Sequence, residues 1–153
     1  MIRMTQNGIT FRYRVAGVAL HEGRVLLQES PDDFVWALPG GHAEAGENAT
    51  ATLVREMQEE LGASVQVNRL LWVVENLFSH EGIRQHELGL YFLMDLGAAV
   101  ERLYPGPVIA DEDGVPMRVA WHPLSTLETL ELYPVFLRRG LQALPENIIH
   151  IVT

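Results

Sequence analysis

The chain has no cysteine, which excludes disulfides, thiolate metal sites and a cysteine nucleophile. It is also short of positive charge: 11 Lys and Arg stand against 20 Asp and Glu, a formal net charge of −9. That balance argues against a broad nucleic-acid-binding surface. It makes a phosphate-rich ligand unwelcome unless metal ions and a few local arginines reverse the field in a cleft. No apolar run approaches the roughly 18 residues of a membrane-crossing helix. The segment Met1-Ile2-Arg3-Met4-Thr5-Gln6 lacks an apolar signal core with a small-residue cleavage site, so the cytoplasm is the expected compartment. Internal repeats and low-complexity segments are likewise missing. What is present is 153 residues, 48% hydrophobic and 20% charged, which suits a single domain over residues 1–153 with a real core.

The most informative stretch runs from Pro39 to Val65. Gly40, Gly41 and Gly46 suit a loop whose backbone approaches a ligand closely; Asn48 is a good N-cap, and Gly62 a helix stop. On a helical wheel, Ala49, Leu53 and Met57 form an apolar stripe. Glu56 and Glu60 fall inside its arc and Glu59 lies beside them. At an effective dielectric near 20, two such charges about 5 Å apart repel by roughly 3 kcal/mol. Arg55 can offset part of this through Glu59 or Glu47, but one guanidinium cannot serve carboxylates on different sides of it. A hard divalent cation can, with the Gly40 carbonyl as a further oxygen ligand. A solvated acidic helix face is the competing interpretation of three glutamates alone.

Spacing decides between them. Gly41, five residues, Glu47, seven residues, Arg55-Glu56, Met57, Gln58, Glu59-Glu60, Leu61 and Gly62 resembles the signature of the Nudix hydrolases. Trp36-Ala37-Leu38-Pro39-Gly40-Gly41 resembles that family's approach to the loop. The departure is Ala63, where the family prefers a larger aliphatic side chain; Val65 is the candidate to supply that packing. The resemblance implies a Nudix-type α/β/α sandwich with a mixed sheet between helices. It also implies a pyrophosphohydrolase acting on a nucleoside diphosphate linked to another moiety, such as an NTP or dNTP, a nucleotide sugar or ADP-ribose.

Along the rest of the chain, Phe11–Leu20 and Arg24–Gln28 read as a hairpin around His21-Glu22-Gly23. Arg12 and Arg14 share one face of its first strand, and one of them is placed to meet phosphate. Residues 34–38 read as a short strand in which Phe34 or Trp36 can stack on a nucleobase, core packing being the readier role for Trp36. Residues 64–76 form an extended run, and Ser79-His80-Glu81-Gly82 a turn. Residues 85–94 alternate with Glu87, Gly89 and Tyr91 on one face. Glu87 is a candidate metal ligand or general base; the alternative is an ion pair with Arg84. Residues 97–116 read as a long irregular connection carrying the solvated acids Asp111, Glu112 and Asp113. Residues 117–121 read as a strand, and a helix is predicted from Pro123 through about Arg139, covering the sheet opposite the acidic helix. Residues 148–153 are a tail or an edge strand.

The expected chemistry is metal-activated attack of water. Mg²⁺ or Mn²⁺ is held by Glu56, Glu59 and Glu60 with Gly40, while Glu47 and Arg55 orient the carboxylates. Glu59, Glu60 and Glu87 are all eligible as the proton acceptor. Substrate identity is expected to lie in Arg14, Phe34, Arg84, Tyr91 and the 97–116 segment. The expected partner is a small nucleotide, with a homodimer possible. The rival from another class is a nucleotide-binding regulatory domain of the same fold that does not turn over. An RNA-processing role is disfavoured by the acidic charge and the lack of a basic track.

Overall fold

The computed structural model describes residues 1–153. Its first long strand, Ile9–Val18 (β2), follows a short strand at Arg3–Gln6 (β1) and carries the molecule's organisation. Alternation along β2 sends Val15 to one hydrophobic cluster and Ala16 and Val18 to another, so the strand is buried on both faces. It pairs in parallel with Ile83–Asp95 (β8) over Ile9↔Arg84 to Val18↔Leu93. β8 in turn pairs antiparallel with Gln66–His80 (β7), through the turn at Glu81-Gly82.

The predicted hairpin of residues 11–20 with 24–28 is therefore corrected. Only Leu20–His21 (β3) pairs with Arg24–Glu29 (β4), closing at Glu22-Gly23, where both residues have positive φ. The chain passes from β2 through Ala19 into a second sheet, because β2 already has β1 and β8 as neighbours. The first sheet has the order β1, β2, β8, β7 and then Ile149–Val152 (β11). Gly40–His42 (β6) pairs with β2 off that path. The second sheet runs β3, β4, Val115–Pro123 (β10), Val108–Glu112 (β9), with Trp36–Ala37 (β5) on β4. The strand expected over residues 34–38 is thus only two residues long, and the terminal segment is an edge strand, parallel to β7.

The acidic helix forms as expected over Ala49–Leu61 (α1). The Asn48 side chain accepts from the Ala51 N–H, and Gly62 takes the left-handed conformation at φ 61°. Leu53 and Met57 are fully buried and Leu61 nearly so. They pack with Val15, Leu26, Val119 and Trp121 on one side of the strands. Ala63 is also fully buried in that cluster, and Val65 is one of the partly buried side chains packed against the same cluster.

Two further expectations are corrected. Residues 97–116 are not irregular: a 3₁₀ turn at Gly97–Ala99 and a short helix at Val100–Leu103 (α2) lead into β9, which forms a hairpin with β10. The helix predicted over residues 123–139 is broken. It consists of a 3₁₀ turn at Leu124–Thr129, an extended stretch, and Leu137–Gly140 (α3). Pro134 disfavours the helical conformation at Tyr133, and the extended backbone is used instead. Trp36 N–H donates to the Glu131 carbonyl at 2.8 Å, and Tyr133 N–H donates to the Trp36 carbonyl at 2.9 Å. Leu127, Leu132, Leu137 and Leu141 still bury themselves against Trp36, Trp72, Val74 and Tyr91, opposite α1. The layered α/β arrangement survives the loss of the long helix.

Leu53→Ala removes a fully buried side chain that seats α1 on the strands. It is expected to lower unfolding free energy by about 2–5 kcal/mol, read as a fall in the urea midpoint with little change in slope.

Candidate active site

Arg55 is the hub of the acidic face. Its Nε donates to Glu47 Oε2 at 2.8 Å and its Nη2 to Glu47 Oε1 at 2.9 Å, a bidentate pair. Nη1 donates to Glu56 Oε1 at 2.8 Å and to Glu59 Oε2 at 3.3 Å, and Nη2 also reaches the His42 carbonyl at 3.1 Å. Every guanidinium N–H is thereby committed. Glu47 additionally accepts from the Thr52 hydroxyl at 2.7 Å and the Glu44 N–H at 3.2 Å. The bonds from Arg55 hold the Glu47 carboxyl down to about 2.

Gly41 is needed for this packing. A Cβ there would overlap the carboxyl group of Glu56, and one at Gly40 would run into the Val15 carbonyl and Ala16. The glycine pair thus lets β6 lie against both β2 and the helix.

Glu60 is the residue Arg55 does not reach. It is 8% exposed, and its buried Oε2 has no hydrogen-bond partner. Burial, then the charges of Glu112 and Glu56, push its pKa up to about 9, against a smaller lowering by Arg14. Glu112, at the end of β9, is half-buried and not one of the solvated acids that its sequence neighbours suggest. Its signal was there in the alternation of Val108, Ala110 and Glu112, which puts the carboxylate on the buried face of a strand.

The carboxylates are disposed around Arg55, and no three acidic or imidazole side chains meet at one point. The donor set is nonetheless all oxygen, and the orphaned Glu60 oxygen beside Glu56 and Glu112 fits a hard divalent ion. The residues present suit Mg²⁺ or Mn²⁺.

Next to this face opens a cleft of about 660 Å³. Arg12, Arg14, His42, Glu87, Tyr91 and Glu112 are among its lining residues. Arg14 donates to the Leu38 carbonyl at 2.9 Å. Glu87, 5% exposed, is paired with Arg12 at 3.1 Å, not with Arg84, which is exposed and lies outside the cleft. The Arg12 guanidinium also lies over the Phe78 ring at 5.3 Å. Tyr91 is buried on the same strand as Glu87, its hydroxyl pKa raised by burial and then by that carboxylate. Burial, helped by Arg14 and Arg12, lowers His42 to about 3 and keeps its ring neutral. Phe34 is 69% exposed and does not line the cleft; Phe78, Tyr91 and Tyr133 do.

The NUDIX domain family matches residues 10–143, nearly the whole chain. The chain belongs to the Nudix hydrolase family. A curated relative, a putative mutator protein MutT4 of Mycobacterium tuberculosis, is 33% identical over 120 residues, which cover 78% of this chain and 44% of that protein. An ADP-ribose pyrophosphatase of Methanocaldococcus jannaschii is 32% identical over 85 residues, 54% of this chain and 49% of that one. The chain thus spans less than half the length of these relatives. Among solved structures, the mutator MutT protein of Bacillus halodurans superposes with a TM-score of 0.62 at 17% identity, covering 91% of this chain and 86% of that one. At that identity the likeness supports the Nudix fold alone. Nudix hydrolases act on small nucleotide substrates and generally depend on a divalent metal ion. No helix of this member is long and apolar enough to cross a membrane.

Glu60 generates a pH prediction for the metal-free protein. Its folded pKa of about 9 lies above the ordinary 4.5, so the folded state retains a proton that the unfolded chain has released. Stability contributed by this group is complete below about 4.5 and is lost as pH rises toward about 9. In chelator, the melting temperature is expected to fall across that window, and Glu60→Gln to flatten the fall. Mg²⁺, which needs the carboxylate, should stabilise more at the alkaline end. An unchanged pH profile in Glu60→Gln would contradict the assignment.

Proposed function

We propose that this Nudix hydrolase cleaves a phosphoanhydride bond in a nucleoside diphosphate linked to another moiety, an NTP or dNTP, a nucleotide sugar or ADP-ribose. The observation that carries this reading is the buried, partnerless Glu60 oxygen beside Glu56 and Glu112, the last of which lines a cleft that also holds Arg12 and Arg14. Glu56, Glu59 and Glu60, with the Gly40 carbonyl and Glu112, would hold Mg²⁺ or Mn²⁺. The bound ion supplies neutralisation of diphosphate charge and a more acidic coordinated water.

The chain's own residues do the positioning. Glu47 fixes Arg55, and Arg55 fixes Glu56 and Glu59, so the ligand carboxylates stand ready at little further cost in side-chain entropy. Arg14 and Arg12 bring positive charge to the phosphates, with Glu87 restraining Arg12. Glu59, Glu60 and Glu87 are the carboxylates available to take the water proton; Glu59, whose side chain is 59% exposed, can pass it directly to bulk solvent. Burial of Glu87 and Tyr91 gives the cleft a low-dielectric floor on which these charges act strongly. The reading takes a small nucleotide as partner, the cytoplasm as compartment and permits a homodimer.

Product release is to be measured with Mg²⁺ across dNTPs, nucleotide sugars, ADP-ribose and dinucleoside polyphosphates. Turnover of at least one class is expected, with Glu60→Gln reducing kcat by about a hundredfold or more and chelation abolishing it. Undiminished activity in either condition would remove the metal from the mechanism. Thermal stabilisation by nucleotides without product would instead mark a binding domain that does not turn over.

A further inference from the structure

The cleft has two unlike walls. On one, Arg12 and Glu87 of the six-stranded sheet carry charge; on the other, Val35, Ala37, Tyr133 and Val135 present mostly apolar surface. Within the second wall lies Gln28 of β4. It stands opposite Ala37 in the β4–β5 register, so the two side chains project to the same face, and both line the cleft. Gln28 is only 8% exposed, yet its buried Oε1 has no hydrogen-bond partner.

A buried amide oxygen without a donor is costly, and native structures rarely leave one unless a ligand or water completes it. The missing partner must donate. Phosphate oxygens are acceptors and cannot do so, and the neighbouring Asp33 carboxylate cannot either. An amide offers an acceptor and a donor side by side in one plane, which complements the adjacent N–H and acceptor on the edge of a nucleobase. A flat ring also suits the apolar surfaces around it, while the arginines opposite suit the phosphates.

We propose that Gln28 reads the nucleobase, making it a specificity-determining residue that favours base-bearing over base-free polyphosphates. This rests on the nucleotide-hydrolase reading above. Gln28 takes no part in bond cleavage; it holds the ring that places the phosphates.

The test compares wild type with Gln28→Met and Gln28→Leu at saturating Mg²⁺, using the four common nucleoside triphosphates and ribose 5-triphosphate. For the preferred nucleotide, KM is expected to rise about tenfold or more, as for loss of one bidentate base contact. The value of kcat should stay within about twofold, and kinetics on ribose 5-triphosphate should not change. Equal losses on base-bearing and base-free substrates, an altered Mg²⁺ requirement, or no loss at all would overturn the proposal. Calorimetry on wild type alone provides a check that does not depend on the variants folding. A nucleoside monophosphate should bind at least about tenfold more tightly than ribose 5-phosphate, and equal affinities overturn the assignment. A wild type that neither binds nor cleaves any nucleotide overturns the functional reading itself, whereas nucleotide turnover indifferent to Gln28 overturns this inference alone.

Discussion

A shortage of positive charge around α1 governs this molecule. Arg55 spends all its donors on Glu47, Glu56, Glu59 and one carbonyl, and Glu60 is left buried without a cation. Two carboxylates in low dielectric cannot both remain ionised cheaply. Burial first, and then the charges of Glu112 and Glu56, push the Glu60 pKa upward and favour its protonated form. The acidic face is thus short of positive charge, and its all-oxygen donor set suits a small hard cation. Glu47 has the opposite environment, held ionised by the same arginine that leaves Glu60 alone. Glu47 in the loop and Glu60 on the helix are thus shifted in opposite directions, the first by its bonds to Arg55 and the second chiefly by burial.

The scaffold keeps that division in place. β2 is gripped by strands on both sides, and β6 lies against it at the two glycines, which anchors the start of the loop before α1. The apolar stripe of α1 fixes the helix's rotation, which sets where Glu56 and Glu60 point. Passage of the chain from β2 into β3 joins the two sheets, and the cleft draws its residues from both. Packing on both faces of β2 thereby determines the geometry available for chemistry.

The helix, its caps and its glycine loop were legible in the sequence because each depends on local rules: an Asn cap, a left-handed glycine, a 3.6-residue apolar period. Of the Arg55 network, the bond to Glu59 was legible from helical spacing, whereas Glu47 reaches the guanidinium from the loop before the helix. Pairing was harder. The parallel union of β2 with β8 is set by contacts over 70 residues apart in the chain, and the strand's alternation says nothing about its neighbours. The long helix at 123–139 failed because Pro134 and the backbone pairing of Trp36 with residues 131–133 outweighed a leucine pattern. Phe34 and Arg84 are suggested by residue type alone, which does not reveal that both are exposed and outside the cleft lining. Glu112 was overlooked because its acidic neighbours concealed a strand's alternation.

The backbone bonds tying Trp36 to residues 131 and 133 place one wall of the cleft on a segment that shares no hydrogen bond with the acidic helix. On the reading proposed above, substrate choice and hydrolytic machinery would be built on separable pieces of chain. Evolution, or a library confined to the exposed side chains of Tyr133 and Val135, could then retune what is admitted while the apparatus that cuts is inherited unchanged.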